Sequence, residues 1–168
     1  ASTTPTELTV QSRQQRVQLT DILIGEVWVC AGQSNMQWPL SQSAGAKHAL
    51  AEADLPRLRL LLLSGAARGS SGRYHSEHLD RLTPGKFCRG EWRASSADTA
   101  HSFSAVAWYF GRQLHKRLDV PVGLIAPAVG GTPAESWIPR RSLARDPEFQ
   151  KFVSGNWLDN VQLSEFCR

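Results

Sequence analysis

The chain has 168 residues, 41% hydrophobic and 20% charged, which is the size and composition of one ordinary globular domain. Its formal charge is +4, but the arginines lie scattered or in pairs, and no Lys/Arg block is interleaved with aromatics, so nucleic acid is not an expected partner. No apolar run approaches the roughly 20 residues that span a bilayer, and the five histidines do not fall at metal-ligand spacing with acids, so neither a membrane nor a metal or other cofactor is expected.

The chain opens Ala1-Ser2-Thr3-Thr4-Pro5-Thr6, with no basic or apolar stretch of a signal peptide. That is either a mature end after signal removal or an arbitrary boundary. Leu8 and Val10, then Val17 and Leu19, alternate around a polar turn near Arg13 to Gln15, which predicts two short flanking strands. Ile22 to Cys30 is apolar and β-branched, the pattern of a strand buried on both faces. Gly32-Gln33-Ser34-Asn35-Met36 ends it in a tight turn. Open α/β sheets hold ligands at the carboxyl ends of their strands. Ser34 is therefore a candidate nucleophile, or else part of a polar turn with no chemistry.

Ala46, Ala49, Leu50 and Ala53 have helical spacing that Pro56 ends. Leu58 to Leu63 predicts a second strand covered on both faces. Ser64 to Gly90 lacks periodicity and carries His75, Glu77, His78 and Asp80, either a ligand-binding cluster or a solvated loop. Ser102 to Arg117 is the clearest helix, with Phe103, Val106, Ala107, Phe110, Leu114 and Leu118 on one face and Ser102 or Ser104 as cap. Val122 to Ala126 predicts a third strand. It runs into a second glycine corner, Gly130-Gly131-Thr132-Pro133, with a helix opening after Pro133 and another short one over 147–153. Cys30 reads as a buried, inert thiol. Cys88 and Cys167 are available to pair, but three cysteines define no framework.

Strands alternating with helices predict a parallel sheet with right-handed crossovers. In a 2-1-3 strand order the first and third strands are neighbours, which sets Ser34 beside Gly130-Gly131. Attack by a serine on an ester carbonyl creates an oxyanion that needs converging backbone N–H donors. Glycines allow that close approach. The plain alternative for Gly130-Gly131 is a strand-to-helix turn.

Glu26-Val27-Trp28-Val29-Cys30-Ala31-Gly32-Gln33-Ser34-Asn35-Met36 resembles the signature of the sialate O-acetylesterase family of SGNH hydrolases, with Glu26 where the family has Asp. Phe103 to Arg112, Pro121 to Ile125 and Gly130 to Trp137 resemble further blocks, in family order. The resemblance implies a partial doubly wound α/β fold, flavodoxin-like and three-layered. Residues 1–20 would form a short flanking β segment and 21–168 an incomplete hydrolase domain. It implies Ser34 as nucleophile and the Ser34, Gly131 and Gly130 amides as oxyanion donors, with Gly131 preferred over Gly130. It further implies an acetylated sugar as substrate, removal of O-acetyl groups through an acetyl-serine, and an exported protein.

The family's Asn block and late Asp-x-x-His do not follow Gly131. Asp98-Thr99-Ala100-His101 has the spacing of that acid and base but precedes the long helix, where a polar cap is the plainer reading. A serine without a base is a poor nucleophile near neutral pH. Three strands also leave one apolar edge open. The chain therefore reads as a fragment, its remainder a second chain, a part outside this sequence or a truncated frame. An esterase portion and a catalytically silent, binding-only product both stand. Arg68, Arg73 or Arg89 would suit a sialate carboxylate by charge alone, though a surface ion pair is the plainer role for each.

Overall fold

The computed structural model describes residues 2–64, 83, 85–156 and 160–161. The cluster His75, Glu77, His78 and Asp80, together with Arg68, Arg73 and Cys167, lies outside the described residues. Contacts divide the chain into two units. One comprises residues 1–63 with 90–128, the other 64–89 with 129–168.

The first unit begins with the expected antiparallel ribbon. Strands β1 (Ser2–Gln11) and β2 (Arg16–Ile24) turn where the Ser12 amide donates to the Gln15 carbonyl at 2.8 Å. Leu8 pairs with Leu19 and Val10 with Val17, so these four side chains share one face. The ribbon is tied down at Asp21, whose φ of 57° turns the strand. The Arg59 guanidinium grips both Asp21 carboxylate oxygens, at 2.6 and 2.8 Å. That hydrogen-bonded cation holds the Asp21 carboxyl below its ordinary pKa. A carboxylate depressed in the fold contributes stability above its unfolded pKa of about 3.9 and loses it as pH falls through the folded value. The stability difference between wild type and Arg59→Met, followed by urea denaturation from pH 6 to pH 2.5, is expected to shrink at the acid end. A difference independent of pH would show that this pair does not hold the ribbon.

The strand expected over Ile22–Cys30 is in fact broken at Gly25. A side chain there would meet the Pro121 carbonyl oxygen at 2.0 Å. The chain therefore leaves the ribbon and starts β3 (Glu26–Val29) directly against Pro121, with the Glu26 amide donating to that carbonyl at 3.0 Å. Nor is β3 buried on both faces, since Val27, Trp28 and Val29 are all exposed.

Strand β3 pairs in parallel with β6 (Val122–Ala126), β6 in parallel with β4 (Leu55–Leu62), and β4 antiparallel with β5 (Trp92–Ser95). The order is β3-β6-β4-β5. The first and third expected strands are neighbours as reasoned, but the third lies in the middle, so 2-1-3 is corrected. The chemistry suits the observed order. Val122, Leu124 and Ala126 are fully buried, as a central strand requires. In β4, Arg57 and Arg59 alternate with Leu58 and Leu60, and only the leucines are buried. Leu55, expected in the preceding helix, already belongs to β4, and that helix, α2, spans Ala46–Ala51. Strand β5 had no counterpart in the sequence reading.

Helix α1 is Ser34–Gln37, α3 is Ala97–His101 and α4 is Ala105–Leu118. The Ser104 hydroxyl caps α4 by accepting from the Ala107 amide, and its last turn carries His115, Lys116 and Arg117 at the negative end of the dipole. The buried face is the expected one only in part, since Phe103 and Ala107 are buried and Leu114 packs against the core. Ala107, Trp108, Gly111 and His115 face the core, while Val106, Phe110 and Leu118 are exposed. Gly111 explains the rotation, because a side chain there would strike Leu124 at 2.5 Å.

In the second unit Ser64 and Arg89 exchange backbone hydrogen bonds of 2.9 Å. After Gly131, with φ 81°, comes the 3-10 turn Ala134–Trp137, then α5 (Arg140–Leu143) and α6 (Gln150–Val153). The Arg140 guanidinium donates to the Val153 and Gly155 carbonyls and joins the two helices.

Candidate active site

Ser34 lies five residues past Val29, the last residue of β3, at the first position of α1. The rim it occupies is defined by an isolated parallel bridge between Gly32 and Ala128, which extends the β3–β6 pairing beyond both strands. Helix α1 starts because Gln33 caps it, with its side-chain Oε1 accepting from the Ser34 amide at 2.8 Å. The Gln37 and Trp38 amides then close onto the Gln33 and Ser34 carbonyls. The corner is locked from behind. Met36 packs toward the core and receives a hydrogen bond from the Ser104 hydroxyl, and the Ala105 amide donates to the Trp38 carbonyl. Ser34 itself is exposed, and its hydroxyl makes no hydrogen bond among the described residues.

Gly130 and Gly131 follow Ala128 in sequence and belong to the second unit. There the Thr132 hydroxyl donates to the Val129 carbonyl and accepts from the Trp137 indole, holding the bend shut. Asp98 and His101 are exposed on α3, and no hydrogen bond or ion pair joins either to Ser34. Their spacing has a local cause. Ser96 and Thr99 form a reciprocal capping box, and an acid in the first turn with a base in the last suits a short helix. Cys30, just before the corner, is buried, and burial pushes its thiol pKa up, as befits an inert side chain. Cys88 is an exposed free thiol. Among the described residues no three His, Cys, Asp or Glu side chains converge on a metal site, and no helix is long and apolar enough to cross a membrane. The sequence reading missed Gln33, although an amide side chain next to the serine in so tight a turn has few other partners than that serine's own N–H.

No protein-family model matches the chain. Curated relatives do. It is 34% identical over 149 residues to the sialate O-acetylesterases of Homo sapiens and Pongo abelii, and 36% identical over 129 residues to that of Mus musculus. The chain belongs to the sialate O-acetylesterase family. The human and orangutan alignments take in 83% of this chain but only 27% of each relative, so it spans about a quarter of their length. Among solved structures, a carbohydrate acetylesterase from Xanthomonas citri superposes with a TM-score of 0.65 at 30% identity, over 86% of this chain and 30% of that one. The α/β arrangement of this family member is thus found inside a larger acetylesterase.

Proposed function

We propose that the chain carries the nucleophile of a carbohydrate O-acetylesterase, with Ser34 attacking the acetyl carbonyl of an acetylated sugar. The observation that carries this reading is the exposed Ser34 at the carboxyl rim of two neighbouring parallel strands, in a chain whose relatives are named sialate O-acetylesterases. In the first step the Ser34 Oγ–carbonyl bond forms, the ester C–O bond breaks, and the sugar oxygen leaves with a proton. In the second, water cleaves acetyl-Ser34, and acetate and the serine hydroxyl are released. The Ser34 amide and, in our reading, the Gly131 amide with Gly130 beside it stabilise the oxyanion. The Ser34 amide is satisfied by Gln33 Oε1 in the resting chain, so that side chain, which is exposed, swings aside as the oxyanion forms.

Ser34 has no base among the described residues. We assign the base and its acid to polypeptide outside these 168 residues rather than to Asp98 and His101, which sit exposed on their own capped helix. An extracytoplasmic location belongs to the same reading and rests on the family alone.

The test uses an activated ester. With p-nitrophenyl acetate, whose leaving group needs no protonation, the isolated chain is expected to acquire one acetyl group at Ser34 slowly and to release it slowly, because no base activates either the serine or the water of the second step. Peptide mass spectrometry locates the group, and Ser34→Ala abolishes it. Acetylation confined to lysines, or equal in both proteins, would leave the catalytically silent reading standing instead.

A further inference from the structure

We propose that Trp38 is the sugar platform of the site, its exposed indole stacking against the C–H face of the pyranose ring whose acetyl group Ser34 attacks. Helix α1 puts the two residues together. The Trp38 amide donates to the Ser34 carbonyl at 3.0 Å, so they stand one turn apart on the same side of the helix. The Cβ atoms of residues so related lie roughly 5–6 Å apart. Side chains lean toward the helix N-terminus, which here is the Ser34 end. Ser34, Trp38 and the residues that hold them all belong to the first unit.

The indole is fixed as well as exposed. Trp38 is 51% exposed, although tryptophan is among the side chains most buried on average. Its only donor, Nε1, is spent on the Gln42 carbonyl at 3.1 Å, which ties down the ring. The backbone behind it is held too. The Ala105 amide donates to the Trp38 carbonyl and the Leu40 amide to the Phe103 carbonyl, both at 2.8 Å, and Leu40 is fully buried. A side chain ordered before its ligand arrives loses little entropy on binding. Three other exposed indoles among the described residues are engaged differently. Trp28 meets Phe110 edge-on, Trp137 donates to the Thr132 hydroxyl, and Trp92 lies over Gly123.

The surroundings select the ligand. Residues 27–46 contain no charged side chain, while Asn35 and Gln42, both exposed, offer amide donors and acceptors. A flat apolar ring bordered by neutral amides suits a pyranose, which carries hydroxyls at its rim and C–H bonds on its faces. An apolar peptide would leave the amides unused, and an anion would find no cation in this stretch. The inference rests on the esterase reading of Ser34, whose acetyl target the platform positions.

The experiment measures saturation transfer by NMR from the 168-residue chain to methyl β-D-galactopyranoside, a neutral glycoside, with sorbitol as the acyclic control. Transfer to the ring C–H protons is expected to exceed that to sorbitol and to saturate with concentration. Trp38→Leu, checked for an unchanged urea midpoint, is expected to lower it at least about threefold, the factor that a lost stacking contact carries. Trp38→Phe is expected to keep most of it, and Trp92→Leu all of it. A second readout needs no variant to fold, since in the wild-type chain the indole N–H resonance of Trp38 should shift with added galactoside and that of Trp92 should not. Transfer no greater than to sorbitol, or transfer that survives Trp38→Leu, would overturn the platform. Either result, with Ser34 still acetylated by p-nitrophenyl acetate, removes this inference and leaves the esterase reading. Galactoside binding at Trp38 without acetylation of Ser34 removes that reading and leaves a sugar-binding surface.

Discussion

Trp108→Ala is expected to cost about 3–5 kcal/mol, the range for emptying a buried aromatic site, and so to remove a large share of a domain stability on the order of 5–15 kcal/mol. The indole is fully buried and is the largest side chain in the core. It is also the hub of a polar relay, as its Nε1 donates to the Ser95 hydroxyl at 3.0 Å, which donates in turn to the Ala53 carbonyl at 2.8 Å. Strand β5, helix α4 and the segment before β4 meet there. The Arg112 guanidinium lies over the ring at 5.4 Å while paired with Glu52, so truncation also removes the surface on which that cation rests. Alanine thus leaves a cavity and a buried hydroxyl short of one partner. Trp108→Phe keeps most of the packing and loses only the relay, which sets its cost nearer 1–3 kcal/mol. Urea denaturation of the two variants separates packing from hydrogen bonding. Equal losses would assign the whole effect to the relay, and a Trp108→Ala loss under 1 kcal/mol would mean that the core does not close at this point.

That centre shows how far sequence alone reaches. Turns and caps are local, and they were legible. The polar turn between β1 and β2, the Ser104 cap of α4 and the corner that presents Ser34 each depend on a few adjacent residues. The buried face over 103–118 was legible only in part, for Phe103 and Ala107 but not for Trp108. Val106 and Phe110 satisfy a helical apolar spacing as well as Trp108 does, and only the close approach allowed by Gly111 against Leu124 decides that Trp108 turns inward. Strand order is non-local for the same reason. Nothing near Val122 announces that it lies between Glu26 and Leu58, and only its complete burial in the folded chain marks it as central. At the site the asymmetry recurs. The corner that carries Ser34 was legible from adjacent residues, whereas the Ser96–Thr99 capping box gives the spacing of Asp98 and His101 a local cause that only the structure displays.

Gly25→Ala is expected to cost about 3 kcal/mol, the upper part of the range for forcing atoms into an occupied space, and to disturb the corner that presents Ser34 as well. Its Cβ would lie 2.0 Å from the Pro121 carbonyl oxygen, a backbone atom that no rotamer change can remove. The same oxygen accepts the Glu26 amide, the first bond setting β3 against β6. Relief requires the two strands to part at Glu26–Val122, and the register from there runs through Val29–Ile125 to the Gly32–Ala128 bridge behind Ser34. Destabilisation should therefore come with slower acetylation of Ser34 by p-nitrophenyl acetate, measured where the variant is still folded. Pro121→Ala should not rescue it, since that change removes the ring and leaves the carbonyl. Gly85→Ala, with no atom within 4 Å of the new Cβ, is the control and should be neutral to within about 0.5 kcal/mol. If Gly25→Ala were as harmless as Gly85→Ala, β3 would not abut Pro121. Ser34 would then not be held on the rim shared by β3 and β6.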